Sequence, residues 1–168
     1  MGIDNLFQCV QLSDGSIVKL CITDTAGEER FNSLAESYYR KADCCLLVYD
    51  ITSKKSFDKI KKYYVKKLKE YSDNILKVVL LGNKADLKDK RQVSDNKGRD
   101  LALKNGYIFM ESSCADNYNV SDAFTALVEM TNKEIKKGIN RSEGIFLNKE
   151  EDSENTSKKE NGSCCIIF

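Results

Sequence analysis

Three short apolar runs, each followed by a polar loop, constrain the fold of this chain more than any other feature. They cover residues 44–49, 78–81 and 107–110. Continuous apolar runs of this length are typical of strands that are buried on both faces, as in a parallel sheet. Amphipathic stretches lie between and after them, and strands that alternate with helices predict an α/β sheet covered on both sides.

An antiparallel hairpin is predicted ahead of these runs. Residues 3–12 and 17–23 flank a polar connection that contains Gly15. Helices are predicted over 56–71 and 120–137, where apolar residues recur three and four positions apart, and Asn119 is the expected N-cap of the second. The lysines of the first helix could form a basic patch, but a solvated helix face is the favoured interpretation.

Composition excludes several classes of protein. The chain has 168 residues, a net charge of +1 and no histidine. Balanced charge argues against nonspecific nucleic-acid binding, and without histidine there is neither a His-based triad nor a Cys/His zinc site. The seven cysteines have no regular spacing, which indicates reduced thiols in a protein made in the cytosol. No signal peptide is recognisable, and no apolar run approaches the length of a membrane span.

The apolar periodicity ends after Lys137. Residues 138–163 contain four basic and six acidic side chains, a net charge of −2. A polar segment of this kind predicts a flexible tail rather than a second domain. We therefore expect one folded domain over residues 1–137 and a tail over 138–168.

Polar loops follow three of the predicted strands. They cover residues 24–31, 82–86 and 111–115. In open α/β sheets, ligands bind at the loops that follow the carboxyl ends of the strands. Each loop alone could be a turn, but their combination and order predict one shared binding edge.

The chain is similar to the Rab branch of the Ras-like small GTPases. The similarity covers the three loops and extends to residues 30–34 (RFNSL), 37–42 (SYYRKA) and 47–52 (LVYDIT). This resemblance implies a P-loop NTPase-like G domain, with a mostly parallel, doubly wound sheet and an antiparallel hairpin at its edge. It also implies a GTP/GDP switch that acts in intracellular vesicle traffic and that works with Mg²⁺.

The resemblance assigns the guanine-binding residues to two of the loops. Asp86 would accept the two donors on the edge of guanine, which adenine does not offer. The other residues implied in base binding are Asn83, Lys84, Ser113, Cys114 and Ala115. Relatives usually have Ala-Lys where this chain has Cys114-Ala115, a change expected to loosen the pocket.

The resemblance places the phosphate and metal chemistry in the loop after the second strand. Asp24 would hold Mg²⁺ through water, and the Gly27 amide would sense the γ-phosphate. Glu28 stands where the family has the glutamine that orients the attacking water. A carboxylate accepts hydrogen bonds without donating them and repels phosphate, so we expect impaired GTP hydrolysis.

A phosphate-binding loop is absent from the sequence. Such a loop needs Gly-x-x-x-x-Gly-Lys-Ser/Thr, yet none of the nine glycines is followed by lysine. Aligned by motif, Met1 falls just after the first switch of the family, so the first strand, the phosphate loop, the first helix and that switch are missing. The missing strand would lie centrally, between the strands predicted over 17–23 and 44–49. Without it, we expect the edges of these two strands to pair incorrectly, to stay exposed or to pair with another chain.

Two interpretations of this absence remain open. The favoured one is an incomplete or alternative product whose full form is an ordinary Rab-like protein. The other is a prenylated, nonhydrolysing adaptor or decoy that presents a Rab-like surface without binding nucleotide.

The last residues predict a lipid anchor. Cys165, two isoleucines and Phe168 fit the C-a-a-X pattern, in which a final Phe indicates geranylgeranyl, and Cys164 could take a second chain. The family resemblance adds effectors, an exchange factor, a GTPase-activating protein, a prenylation escort and a GDP-dissociation inhibitor as partners. It implies the cytoplasmic face of intracellular membranes, together with a cytosolic pool.

Overall fold

Six strands form one mixed sheet. The computed structural model describes residues 4–24, 39, 42–70, 77–137 and 162–167, with Asp4 and residues 162–167 described by their backbone alone. The strands are β1 (Asp4–Gln11), β2 (Ile17–Asp24), β3 (Cys44–Asp50), β4 (Lys77–Asn83), β5 (Ile108–Glu111) and β6 (Gly162–Ile167). Their order across the sheet is β1-β2-β6-β3-β4-β5. Only β1 and β2 are antiparallel, and all other neighbours in this sheet are parallel.

The predicted hairpin is confirmed. Val10 lies opposite Val18 in the β1–β2 register. The Leu12 amide donates to the Ser16 carbonyl at 2.8 Å, and Gly15 adopts a φ of 81° that most other residues avoid. The local turn chemistry therefore determines this part of the fold.

The first predicted helix is interrupted by a wider turn. It consists of α1 (Lys54–Lys59), a π-helical segment (Ile60–Tyr64) and α2 (Val65–Glu70). The Val65 amide donates to the Ile60 carbonyl, five residues earlier, which is the hydrogen bond of a π-helix. The extra residue allows the adjacent side chains of Tyr64 and Val65 both to be buried.

Helix α3 (Asp95–Asn105) was not predicted from the sequence. Its apolar stripe is too short to produce a clear helical period, because Leu101 and Ala102 are buried whereas Leu103 is exposed. Gly106 ends the helix in the left-handed conformation, with φ 70°.

Helix α4 (Val120–Lys136) confirms the second predicted helix but corrects its cap. Asn119 occupies the N-cap position, yet its side chain makes no capping hydrogen bond. It has a φ of 55°, and its Nδ2 donates instead to the Glu111 carbonyl at 2.9 Å. A left-handed backbone directs this side chain toward the end of β5 rather than toward the first turn of α4.

Hydrophobic clusters cover both faces of the sheet, as predicted. Alternate residues of β3 enter different clusters: Cys45 and Leu47 belong to the one that includes α1, α2 and α3, whereas Cys44 and Leu46 belong to the one that includes α4. This period of two is the geometry of an extended strand with both faces buried.

Strand β6 occupies the place where the sequence predicted a missing central strand. It pairs with β2 from Lys19↔Gly162 to Asp24↔Ile167, and with β3 from Cys44↔Cys165 to Leu46↔Ile167. From the sequence, we expected the edges of β2 and β3 to pair incorrectly, to stay exposed or to pair with another chain. The structure instead pairs them with a segment that the sequence assigned to the flexible tail.

The physical reason lies in the backbone groups of β2 and β3. Unpaired amides and carbonyls inside a sheet are costly, and an extended apolar segment satisfies them. Residues 162–167 follow a long polar stretch and end in two cysteines and two isoleucines, so their composition suits a buried strand. Among the helices that the structure describes, none combines the length and apolar character needed to cross a bilayer.

Candidate guanine-binding site

The carboxyl ends of β3, β4 and β5 meet at one edge of the sheet. Backbone hydrogen bonds join the loops after β4 and β5: the Ser112 amide donates to the Gly82 carbonyl, and the Ala85 amide donates to the Ser112 carbonyl, both at 2.9 Å. The predicted convergence of these two loops is confirmed. The loop after β2 begins at Thr25 and lies outside the described residues.

Asp86 and Ser113 form the central hydrogen bond of this edge. The Ser113 hydroxyl donates to Asp86 Oδ1 at 2.6 Å and accepts from the Asp116 amide at 3.1 Å. The Ser113 backbone exchanges two hydrogen bonds with Tyr118, which fixes the loop that carries the hydroxyl. Within the described part of the chain, no donor contacts Asp86 Oδ2, so this oxygen remains an acceptor for a ligand.

Asn83 connects the two loops through longer contacts. Its Oδ1 accepts from the Ser112 hydroxyl at 3.4 Å and from the Cys114 thiol at 3.6 Å. Both contacts are at the weak end of hydrogen bonding. Cys114 and Ala115 themselves are exposed on the loop. Of the six residues that the sequence assigned to base binding, the structure joins Asp86 with Ser113 and Asn83 with Cys114. Lys84 and Ala115 lie next to them in the same two loops.

Lys84 is fixed by a partner that the sequence did not reveal. Its Nζ lies 2.7 Å from Asp50 Oδ2, and Asp50 Oδ1 accepts from the Thr52 amide and hydroxyl at 2.7 and 2.6 Å. The hydrogen bond to Asp50 raises the pKa of Lys84. Burial acts to raise the pKa of Asp50, but the hydrogen bonds from Lys84 and Thr52 outweigh it and lower that pKa.

The position of Asp50 in the sequence could have identified it as the partner of Lys84. It is the last residue of a buried strand, at the same sheet edge as Asn83. Lys84 also has a left-handed backbone, with φ 65°. The ion pair with Asp50 holds the ammonium group of Lys84, whose side chain is otherwise exposed. The aliphatic stem of Lys84 therefore has a defined position beside the loop after β4.

A second ion pair supports the loop after β5. Arg91 donates to both carboxylate oxygens of Glu111, at 2.6 and 2.9 Å, and to the Val93 carbonyl at 3.1 Å. The hydrogen bond to Glu111 raises the pKa of Arg91. Glu111 directly precedes Ser112, so this bidentate pair anchors the start of the loop that carries Ser113. The two partners are 20 positions apart in the chain, which explains why no local pattern reveals the pair.

Comparison with known proteins identifies the family of this chain. Residues 1–133 match the model of the Ras family. The chain belongs to the Ras family. Rab-8B of Bos taurus is 40% identical over 169 residues, which cover all of this chain and 81% of that protein. Rab-8A of Rattus norvegicus is 43% identical over 139 residues, or 83% of this chain and 66% of that protein.

These relatives place the chain among the Rab-type small GTPases of vesicle traffic. A third relative, Rab-8B of Homo sapiens, is 41% identical over 142 residues, which cover 84% of this chain and 68% of that protein. The family implies GTP or GDP as ligand, with Mg²⁺. The predicted family and the predicted G-domain fold are both confirmed.

Of the residues predicted for phosphate and metal binding, Asp24 is the one that lies within the described ranges. The predicted Mg²⁺ residue, Asp24, is exposed at the end of β2, and the described ranges contain no group of three side chains arranged to hold a metal ion. Gly27 and Glu28 lie outside the described residues. Cys164 and Cys165 lie in β6, where the structure describes the backbone.

Proposed function

We propose that this Rab-type chain recognises the guanine base of GDP or GTP at the edge formed by the β4 and β5 loops. The observation that carries the proposal is the hydrogen bond from Ser113 to Asp86 Oδ1. It orients the carboxylate and leaves Oδ2 as an acceptor. We expect base recognition to be the part of the Rab-type GTP/GDP switch that these 168 residues retain.

The chemistry of a carboxylate selects guanine over adenine. Guanine presents two neighbouring donors, N1–H and the N2 amino group, whereas adenine presents an acceptor at N1. A carboxylate accepts two hydrogen bonds from guanine but faces a lone pair of adenine. Hydrogen bonds to a charged group contribute about 1.5–3 kcal/mol each, so Asp86 can supply most of the discrimination between the two bases.

The neighbouring residues would complete the base pocket. The Lys84 stem, held by Asp50, would cover one face of the ring, and Asn83 would contact the base while it connects the loops. The Cys114 and Ala115 amides would reach the guanine carbonyl. Because these two residues are exposed, we expect the pocket to be open on that side.

For a polypeptide that consists of these 168 residues alone, we propose that phosphate recognition is impaired. None of its glycines is followed by lysine, and a phosphate-binding loop supplies backbone amides and a lysine charge to the phosphates. Asp24 is the one residue proposed here for Mg²⁺, through water, and Gly27 is the one proposed for the γ-phosphate. We also propose that Glu28, at the position of the water-orienting glutamine, slows GTP hydrolysis.

The cellular setting follows from the Rab family. We propose that Cys165, and Cys164 as a second site, carry geranylgeranyl groups that attach the protein to the cytoplasmic face of intracellular membranes. A GDP-dissociation inhibitor would maintain a cytosolic pool. Effectors, an exchange factor, a GTPase-activating protein and a prenylation escort are the partners that this setting requires.

A second candidate function is favoured by one observation. Strand β6 completes the sheet without a nucleotide-binding strand. A Rab-like surface could then be presented by a prenylated adaptor that neither binds nor hydrolyses nucleotide.

Titration of the 168-residue chain with fluorescent GDP separates these functions. We expect weak binding that is insensitive to Mg²⁺, is competed by GDP better than by ADP, and is lost in Asp86→Ala. Lys136→Gln, on an exposed ion pair far from the site, is the control and should bind as the parent does. Micromolar or tighter, Mg²⁺-dependent binding would show that phosphate recognition is intact. No detectable binding of GDP would favour the adaptor, and equal competition by GDP and ADP would contradict the proposed base site.

A further inference from the structure

Positive charge is concentrated in the element formed by α1, the π-helical segment and α2, here called the α1–α2 element (residues 54–70). It contains eight lysines and two acidic residues, a net charge of +6. The whole chain has a net charge of +1, so the other 151 residues together have a net charge of −5. The overall balance of charge therefore conceals one strongly basic element.

Most of these lysines lie on the side of the α1–α2 element that faces away from the sheet. The residues buried on its other side are Phe57, Ile60, Tyr64, Val65 and Leu68. Six lysines are exposed, and we call them the lysine face: Lys54, Lys55, Lys61, Lys62, Lys66 and Lys69. Their exposure agrees with the solvated helix face favoured from the sequence. The π-helical turn that buries Tyr64 and Val65 together also leaves Lys61 and Lys62 exposed together.

The lysine face has no counter-charge among the residues that the structure describes. The ion pair within this element joins Lys67, which is not part of the face, to Glu70 at 3.3 Å. Asp58, the other acidic residue of the element, forms no ion pair within the described ranges. Like charges recur at spacings of four and three, at Lys62, Lys66 and Lys69. Neighbouring like charges on a helix repel each other, so an anionic partner would relieve this repulsion.

Helix α3 does not neutralise the lysine face. It lies on the same side of the sheet, because Leu101 and Ala102 belong to the same buried cluster as Phe57. The helix has three basic and two acidic residues, a net charge of +1. One of the two acidic residues, Asp95, is already paired with Arg99. This side of the described domain is therefore basic across two neighbouring helices.

We propose that the lysine face binds the surface of a membrane that contains anionic lipids. The proposal goes beyond the lipid anchor proposed above and does not require it. Seventeen helical residues extend about 25 Å, and an anionic leaflet presents negative charge over that whole length. Long, flexible lysine stems let each ammonium group reach a lipid headgroup while the helix stays packed on the sheet.

The residue types favour a lipid surface over an acidic protein. All eight basic residues of the α1–α2 element are lysines, and none is an arginine. Arginine is enriched in protein interfaces, where its planar fork binds carboxylates at two points, whereas lysine is depleted there. A lysine ammonium is a hydrated point charge, which suits the diffuse charge of a lipid surface. The Rab-type relatives act in vesicle traffic, so membranes are the surfaces that this chain would meet.

Contact through the lysine face would leave the guanine edge accessible. The α1–α2 element begins at Lys54, just after the carboxyl end of β3, and is followed by the start of the parallel strand β4 at Lys77. It therefore runs back along one side of the sheet, from the guanine edge to the opposite edge. The loops that carry Asn83 and Ser113 lie at one end of this element. A membrane on the lysine face would then lie along the sheet rather than across these loops.

Cosedimentation of the unlipidated 168-residue chain with vesicles tests the proposal. We expect the chain to bind vesicles of equimolar phosphatidylcholine and phosphatidylserine but not vesicles of phosphatidylcholine alone. Binding should weaken as sodium chloride is added, because salt screens exposed charges. Equal binding to the two kinds of vesicle would overturn the proposal.

A triple substitution tests whether the lysine face is the contact. Lys62→Gln/Lys66→Gln/Lys69→Gln removes three charges and keeps residues that favour a helix. Each lysine near an anionic surface contributes roughly fivefold in affinity, so we expect binding to fall at least about tenfold. The control, Lys88→Gln/Lys90→Gln/Lys133→Gln, removes the same charge from exposed positions outside the α1–α2 element and should bind close to the parent. Equal losses in the two variants would contradict a contact through this face.

A polyglutamate peptide tests the other class of partner. We expect it to bind the chain more weakly than the mixed vesicles do. If it binds more tightly, and the Lys62, Lys66 and Lys69 substitutions abolish that binding, the face fits an acidic protein and the proposal is wrong. These assays contain neither nucleotide nor a lipid anchor. Their failure is thus distinguishable from a failure of the guanine site or of lipid attachment at Cys165.

Discussion

Removal of the charge on Glu111 should destabilise the domain through the ion pair that supports the β5 loop. Glu111→Gln keeps the shape of the side chain but replaces one acceptor of the bidentate Arg91 contact with a donor. Arg91 keeps its positive charge, but the glutamine offers it one neutral amide oxygen instead of two carboxylate oxygens. The side chains of Arg91 and Glu111 are only 24% and 17% exposed, so water cannot fully replace the lost carboxylate.

The expected loss follows from this partial burial. Breaking a fully buried pair costs about 3–5 kcal/mol, and hydrogen bonds to charged groups contribute about 1.5–3 kcal/mol. Because both side chains retain some contact with water, we expect the free energy of unfolding to fall by about 1.5–3 kcal/mol. For a chain of this size, the corresponding decrease in Tm is about 3–12 °C.

Urea denaturation followed by circular dichroism measures this loss. Lys136→Gln is the matched control, since its ion pair with Asp14 has the same 2.6 Å separation but half-exposed side chains. An ion pair between side chains as exposed as these contributes little to stability. In the double variant Arg91→Met/Glu111→Gln, the stability losses of the two single variants should not add. Each change alone already breaks the ion pair, so the second change has less left to remove. A loss for Glu111→Gln no larger than for Lys136→Gln would refute the reasoning.

Three further changes test the core. Tyr49→Phe should stabilise the domain by about 1 kcal/mol, because the buried Tyr49 hydroxyl has no hydrogen-bond partner among the described residues; a measurable loss on urea denaturation would contradict this. Gly98→Ala should destabilise it, since the new Cβ would lie 2.7 Å from the Tyr49 hydroxyl oxygen and would also clash with the Phe109 ring. An overpacking cost of about 1–3 kcal/mol then exceeds a helix-propensity gain of about 1 kcal/mol, so an increase in Tm would be inconsistent with this close approach. Burial raises the pKa of Tyr107 to about 12 from an ordinary 10.0, so its contribution to stability is complete below pH 10.0 and is lost as the pH rises through about 12. Tyr107→Phe should reduce this alkaline loss, as measured by urea denaturation across that range, and an unchanged pH profile would argue against the assignment.

The sequence was sufficient for the elements whose pattern is local. The apolar run at 44–49 predicted β3, and Gly15 with its polar neighbours predicted the hairpin turn. The loops of Asn83 and Ser113 were predicted to share an edge, because parallel strands direct their carboxyl ends the same way. Each of these predictions depends on residues close together in the chain or on a general rule of topology.

The elements that the sequence missed depend on contacts between distant residues. Helix α3 has little apolar periodicity and is stabilised by packing against β4 and β5. The partner of Lys84 is Asp50, 34 positions earlier, and that of Arg91 is Glu111, 20 positions later. Strand β6 pairs with β2, which lies more than 130 positions earlier in the chain. Its register depends on the edges of other strands, which no local sequence pattern reveals.

Amide chemical shifts of the full chain during parallel titrations with GDP and ADP test the central claim, a guanine-selective base site, most directly. We predict that GDP shifts the amides of residues 83–86 and 112–116 in a saturable way. ADP should leave these amides unchanged at the same concentrations, and Asp86→Ala should abolish the response to GDP. Equal shifts with both nucleotides, or GDP-dependent shifts that avoid both loops, would contradict a base site centred on Asp86 and Ser113.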